Sequence, residues 1–286
     1  MDRIVLAVRD LASAESIYTR MLGRTPSGRR EDRSGGTERL LYRLSNMTLE
    51  LVSVFGSGSW SSIVASRLDM GGEGLLALFL RTDGVVAAAE TLKARGLPAV
   101  VLAENEGHDK GGRVRRWRNA LIPPEASREL MIVINEVLGD PDDLKPAPLR
   151  EGVTEAEAIS ELDHVVVMTR DAEACKRFFG DQLGIRLALD HSKPEWGVRQ
   201  LFFRLGGVTI EVVQSLDETK VPEKDFLWGL AWKASNVATV AARLAREGAD
   251  VSEVRIGRKK GTEVATIRKP TCGVPTLLVG PIAAES

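Results

Sequence analysis

Two stretches decide the fold when set side by side: Arg3-Ile4-Val5-Leu6-Ala7-Val8-Arg9-Asp10 and His164-Val165-Val166-Val167-Met168-Thr169-Arg170-Asp171. Each is an apolar, strand-like run closed by an Arg-Asp pair, and the Asp suits the N-cap of a following helix. The same offset of 161 carries Leu22-Gly23 onto Leu183-Gly184, and Leu49-Glu50-Leu51-Val52 onto Ile210-Glu211-Val212-Val213. Three separate anchors on one offset mark a duplication. Further along, Leu92 and Gly96 match Leu244 and Gly248 at an offset of 152, as loop-length changes require.

The second copy shows the finer grain. Leu162–Thr169 reads as a strand, and Cys175, Phe178, Phe179 and Leu183 form an apolar stripe at helical spacing, closed by Gly184. Strands near 198–205 and 207–215 are joined at Gly206-Gly207. The pattern then recurs: a strand at 226–233, a helix at 236–247, and strands near 250–256, 262–268 and 275–280. A βαβββ unit thus occurs twice per copy, four times in all. The expected class is α+β, with a first module at 1–136, a linker at 137–160 carrying a short helix near 154–160, and a second module at 161–286.

The totals narrow the function. A chain of 286 residues, 43% hydrophobic and 28% charged, suits two globular domains. A net charge of −1 argues against nucleic-acid or membrane binding driven by bulk electrostatics. Cys175 and Cys272 form neither a disulfide framework nor a metal-type spacing, and the opening residues show no signal-peptide pattern, so a cytoplasmic protein is expected. No apolar run reaches the length of a membrane helix. Nothing forms a nucleophile triad, a phosphate-binding glycine loop or a dinucleotide fingerprint.

The doubled βαβββ unit, with His164 on its opening strand and Glu211 ending a hairpin strand, resembles the vicinal oxygen chelate superfamily of glyoxalases, bleomycin-resistance proteins and extradiol dioxygenases. The resemblance covers nearly the whole chain outside the linker, and implies curved sheets that enclose cup-shaped cavities. In metal-using members the first and fourth strands of two units hold a divalent ion. Carried over position by position, the first module offers Arg3, Glu50, Ala77 and Glu129, and the second His164, Glu211, Gly229 and Leu277. Neither set is complete. Pairing units across modules gathers His164, Glu211 and Glu129, a set that implies Zn²⁺, Mn²⁺, Fe²⁺, Co²⁺ or Ni²⁺.

Each candidate has a plainer reading. His164 is a metal ligand, a pocket histidine bonded to a neighbouring carboxylate, or a structural residue. Glu50 and Glu211 interrupt apolar strands and so need a partner; for Glu50 that partner is expected to be Arg3. Glu129 is a ligand or acid–base group, or a solvent-facing residue opposite Arg128. Alternation puts Arg113, Arg115 and Trp117 on one strand face, where Arg115 could grip an anionic substrate, or stand solvated. Trp228, Trp232 and Phe202 are core residues by default and substrate-binding residues otherwise, the space left by Gly229 suiting a bulky or aromatic ligand. His108 is expected in a surface turn.

The leading expectation is therefore a metal-assisted lyase or isomerase acting on a small oxygenated substrate in one cross-module cup, with Glu129 and Glu211 as catalytic carboxylates. The rival is a metal-free binding or resistance protein. Extradiol-type dioxygenation fits less well, because Fe(II) oxygenases usually present two His and one carboxylate. The expected partner is a small molecule, and the protein a monomer or homodimer.

Overall fold

The computed structural model describes residues 1–108, 114–139 and 144–282. The protein is α+β, with two mixed nine-stranded sheets built from βαβββ units. The first sheet holds β1 (Arg3–Ala7), β2 (Gly28–Asp32), β3 (Thr37–Arg43), β4 (Thr48–Val54), β5 (Gly74–Arg81), β6 (Val100–Val101), β7 (Asn105–His108), β8 (Val114–Leu121) and β9 (Ile132–Leu138). The second holds β10 (Glu161–Thr169), β11 (Arg186–Lys193), β12 (Val198–Leu205), β13 (Val208–Ser215), β14 (Phe226–Lys233), β15 (Asp250–Val251), β16 (Arg255–Ile256), β17 (Thr262–Lys269) and β18 (Thr276–Pro281). The orders are β2-β3-β4-β1-β5-β9-β8-β6 and β11-β12-β13-β10-β14-β18-β17-β15, with β7 added on β8 and β16 on β17.

The duplication is visible in the hydrogen-bond register. Arg3 pairs with Thr48 and Val5 with Glu50, as His164 pairs with Thr209 and Val166 with Glu211. Even the irregularity repeats: the β1–β5 ladder shifts between Val5 and Leu6, and the β10–β14 ladder between Val166 and Val167. A bulge at the middle of each sheet bends the strands and strengthens the twist that curls it. In the second sheet the curl brings opposite edges together, with the Arg258 guanidinium 4.4 Å from the Trp196 ring centre.

Local chemistry sets the helices α1 (Leu11–Leu22), α2 (Ser59–Gly71), α3 (Val85–Ala94), α4 (Ala172–Cys175) and α5 (Val237–Arg246). Asp10 accepts from the amides of Ala12 and Ser13, and Asp171 from that of Ala174. The expected stripe of Cys175, Phe178 and Phe179 is buried, but after Cys175 the helix widens into a π-helical turn over Lys176–Gln182. The Leu183 amide reaches back five residues to the Phe178 carbonyl, which seats both Phe rings in the core, edge to face at 4.9 Å.

Three features depart from the sequence reading. The strand β11 has only scattered apolar residues among charges, because it is a sheet edge exposed on much of both faces. The helix α2 has no counterpart in the second sheet; it lies on the concave face of the first, with Val64 and Leu68 against Val5, Ala7 and Val52. The segment 154–160 forms turns rather than a helix.

The two sheets share one continuous apolar core. Arginines stitch the seam: Arg243 on α5 donates to the carbonyls of Arg20 (2.6 Å), Met21 (3.0 Å) and Glu157 (2.9 Å), capping the end of α1. Arg24 is buried and donates to the carbonyls of Ile159 and Ala147, both at 3.0 Å.

Candidate functional site

In the second sheet, strand alternation puts His164 and Val166 on the concave face while Val165 and Val167 enter the core. The registers add Glu211, opposite Val166, and Phe202, opposite Glu211; Gln200 follows on the same face as Phe202. His164 Nε2 stands 3.1 Å from Glu211 Oε2, and Nδ1 stands 2.8 Å from Asp163 Oδ1. Gln200 Nε2 donates to the other Glu211 oxygen, and its own Oε1 stands 3.3 Å from His191 Nε2. The His191 ring meets Phe202 edge-on at 5.8 Å. The hydrogen bond from His164 holds the Asp163 carboxyl below the usual carboxylate range, against the opposing effect of burial. The side chains of His164 and Glu211 are 16% and 11% exposed, partly reachable from the cup.

The facing half of this cup is mainly apolar, with Ala231, Val264, Leu277 and Val279 around Thr266, which pairs with Leu277. The space expected beside Gly229 is not open: a side chain there would meet the Pro275 carbonyl at 2.8 Å. Trp232 is fully buried in the core, so it is not a cup residue. Trp228 falls on the bulge and is 45% exposed, out of file with buried Leu230 and Trp232. Of the three aromatic candidates, only Phe202 stands beside the His164–Glu211 pair.

The cross-module cup does not form. Antiparallel β1–β5 and β10–β14 ladders close each sheet on its own two units, consuming the strand edges that cross-pairing needs. Glu129 is not on a strand; it sits exposed in the turn before β9, at φ +66°. Phe79 pairs with Val133 as Ala231 pairs with Leu277, so Val133, not Glu129, is the counterpart of Leu277. The neighbouring Arg128 reaches Asp225 (2.6 Å) and Thr169 (3.4 Å). Thr169 lies five residues along β10 from His164, about 16 Å at the strand rise. The turn carrying Glu129 therefore meets the far end of β10.

The first cup holds different chemistry. Arg3 donates to Glu50 at 2.9 Å, as the sequence led us to expect, and Arg39 donates to its other oxygen at 2.8 Å. Glu50 is 1% exposed; burial pushes its carboxyl up, but the charges of Arg39 and Arg3 outweigh this and hold it below the ordinary range. Arg3 lies over Phe79 (4.8 Å) and Arg39 over Trp60 (5.1 Å), and the two rings are stacked at 6.1 Å. Beside this network a cavity of about 600 Å³ opens, lined also by Arg115, Trp117 and Asn119 of β8. Arg115 and Trp117 thus share a face as alternation requires, while Arg116 and Arg118 pair with Glu104 on the other side. Arg113 and the turn Asp109–Gly112 lie outside the described residues; His108, expected in a surface turn, ends strand β7.

Sequence reasoning missed Gln200, Arg39, Trp60 and Asn119. Gln200 alone carried a signal, a polar residue two positions before Phe202 on a strand that pairs with Glu211.

Residues 1–155 match the family described as Glyoxalase-like domain, and residues 163–266 match the Glyoxalase/Bleomycin resistance protein/Dioxygenase superfamily. The chain belongs to the glyoxalase/bleomycin resistance/dioxygenase superfamily. No curated protein matches the sequence. Among solved structures, a mutant of 4-hydroxymandelate synthase from Streptomyces coelicolor aligns over 100% of this chain and 93% of its own, at 14% identity and a TM-score of 0.71. A hypothetical protein from Staphylococcus aureus aligns over 98% of both chains at 10% identity and a TM-score of 0.63. Methylmalonyl-CoA epimerase from Mycobacterium tuberculosis covers 44% of this chain and 90% of its own, at 23% identity and a TM-score of 0.38.

Members of this superfamily often bind divalent metals, so the donor sets decide whether either cup fits one. In the second cup His164 and Glu211 are the only donors at the four ligand positions, and they already face one another. In the first, Arg3 puts a cation where the ion would sit. Among the described residues no group of three or more His, Cys, Asp or Glu could hold a metal. Neither cup fits a superfamily-type metal site. No helix among the described residues is long and apolar enough to cross a membrane.

Proposed function

We propose that the second cup moves a proton on a small oxygenated substrate without a metal, in a lyase- or isomerase-type reaction. The observation that carries this is the contact of His164 Nε2 with Glu211 Oε2 at 3.1 Å, on the polar half of a cup whose other half is mainly apolar. Asp163, bonded at Nδ1, fixes the ring with Nε2 beside Glu211. Gln200 fixes the carboxylate through its second oxygen. One oxygen of Glu211 and Nε2 of His164 are therefore held side by side, within reach of one substrate atom. Such a pair can take a proton from a carbon beside a carbonyl and return it to carbon or to a departing oxygen. The wall of Ala231, Leu277 and Val279 takes the carbon skeleton and excludes water from the exchange.

The test is hydrogen–deuterium exchange at carbon. Small 2-oxo acids and hydroxyketones are incubated with protein in D₂O and followed by proton NMR. Exchange by the wild type, lost in both His164→Ala and Glu211→Gln and unaffected by chelator, supports the reading. Exchange that persists in both variants, or that requires added metal, overturns it.

The second reading is binding without turnover. The mainly apolar half-cup favours it, and it predicts saturable ligand binding with no exchange in the same samples.

A further inference from the structure

The hairpin β11–β12 turns at Pro194–Gly197, and the hairpin β16–β17 at 257–261, the corresponding place in the other βαβββ unit of the second module. The curl of the sheet brings these two turns together. Arg258 lies over the Trp196 ring at 4.4 Å, and Lys193 approaches the same ring at 5.4 Å. Arg258 is exposed and has no carboxylate partner among the described residues, so the indole is what holds it across the gap. Among the described residues no hydrogen bond or ion pair joins one hairpin to the other.

Both turns stand over the second cup. Lys193 shares a strand face with His191, which meets Gln200 inside the cup. On the opposite turn, the Lys259 charge reaches Asp163, the partner of His164. One hairpin thus approaches the His164–Glu211 pair from the Gln200 side and the other from the Asp163 side. Each turn is braced by its own neighbours: the Gly257 amide donates to the Thr262 carbonyl at 2.7 Å, and the Gly197 amide to the Pro194 carbonyl at 3.0 Å. Strand β16 is two residues long and residues 252–254 lie outside any strand, so the outer arm of its hairpin is lightly held. Open space flanks Gly197 and Gly261 at the two tips, where an added side chain would meet nothing within 4 Å. A cation–π contact at a partly exposed site is weak, so it can break and re-form while the sheets stay folded.

We propose that Trp196 and Arg258 form a reversible latch across the mouth of the second cup, and that ligands reach the His164–Glu211 pair when the two hairpins part. The latch controls entry alone and stands whether or not the cup turns over a substrate.

The probe is diethyl pyrocarbonate, which acylates imidazole nitrogen, applied to the full chain without substrate, with the rate at His164 read by peptide mass mapping. Arg258→Ala should raise that rate about threefold, the factor that one exposed cation–π contact sustains in an opening equilibrium, with the denaturant midpoint unchanged. Trp196→Leu should raise it at least as much, because it removes the contacts of both Arg258 and Lys193. The double variant should label no faster than Trp196→Leu alone, as two partners of one contact require. A wild-type rate in Arg258→Ala, a rise that accompanies a lowered midpoint, or a double variant whose increase is the product of the two single ones overturns the proposal. Arg258→Ala, in an exposed turn, decides it even where Trp196→Leu fails to fold.

Discussion

Arg3 donates to Glu50 across 2.9 Å at the position where the second sheet sets His164 against Glu211. One duplicated backbone thus carries a permanent cation in one cup and a group able to exchange a proton in the other. Glu50→Gln removes the anion between Arg3 and Arg39, and should destabilise the fold by about 3 kcal/mol, read from the denaturant midpoint. A depressed carboxylate stabilises the folded state above its ordinary value of 4.5, and that stability is lost as pH falls through the depressed value. The difference between wild type and Glu50→Gln should therefore be full near neutrality and shrink on acidification below about 4.5.

Arg243 couples the two sheets through three main-chain carbonyls at the end of α1 and in the linker. Arg243→Ala leaves buried acceptors unmet and should cost about 3 kcal/mol. Because Arg20 and Met21 belong to the first module, unfolding of the variant should separate into two transitions when followed by hydrogen exchange. A single transition of unchanged midpoint would show that the seam contributes nothing.

Burial pushes both thiols, Cys175 and Cys272, up to about 12. The thiolate is the reactive form, so neither should alkylate in the native protein at pH 8. Two equivalents of iodoacetamide should add once denaturant unfolds the chain. Rapid native labelling at either position, located by peptide mapping, contradicts this.

Gly273 adopts φ +73°, and a side chain there would run into the main chain of Glu73 in the first module. Gly273→Ala should lower stability by about 2 kcal/mol through backbone strain and loss of that close approach. A melting temperature equal to the wild type's would mean the two segments separate freely.

The donor sets predict the metal content. Elemental analysis of protein purified without chelator should find well under one equivalent of divalent ion, and His164→Ala should not change it. A full equivalent that disappears in His164→Ala would reverse the assignment of the second cup.

Most of the fold was legible in the sequence because duplication makes weak signals add. The Arg3 and His164 runs, the Asp10 and Asp171 caps and the Gly206-Gly207 turn each rest on short-range rules, and each is found where those rules put it. The Arg3–Glu50 pair was legible too, since a carboxylate in an apolar strand demands a cation. Edge strand β11 was not, because an edge exposed on both faces need not alternate. Trp228 was misplaced, because a bulge adds one residue and breaks the period-two rule, whereas Trp232 took its default place in the core.

The sequence by itself determined four βαβββ units and their order. Those properties depend on neighbours a few positions apart. Which units close on which was decided only in three dimensions, since β1 can be hydrogen-bonded on each side by one strand, and its choice of β4 and β5 leaves none for the second module. That choice removed Glu129 from the site and left two unlike cups where the sequence suggested one.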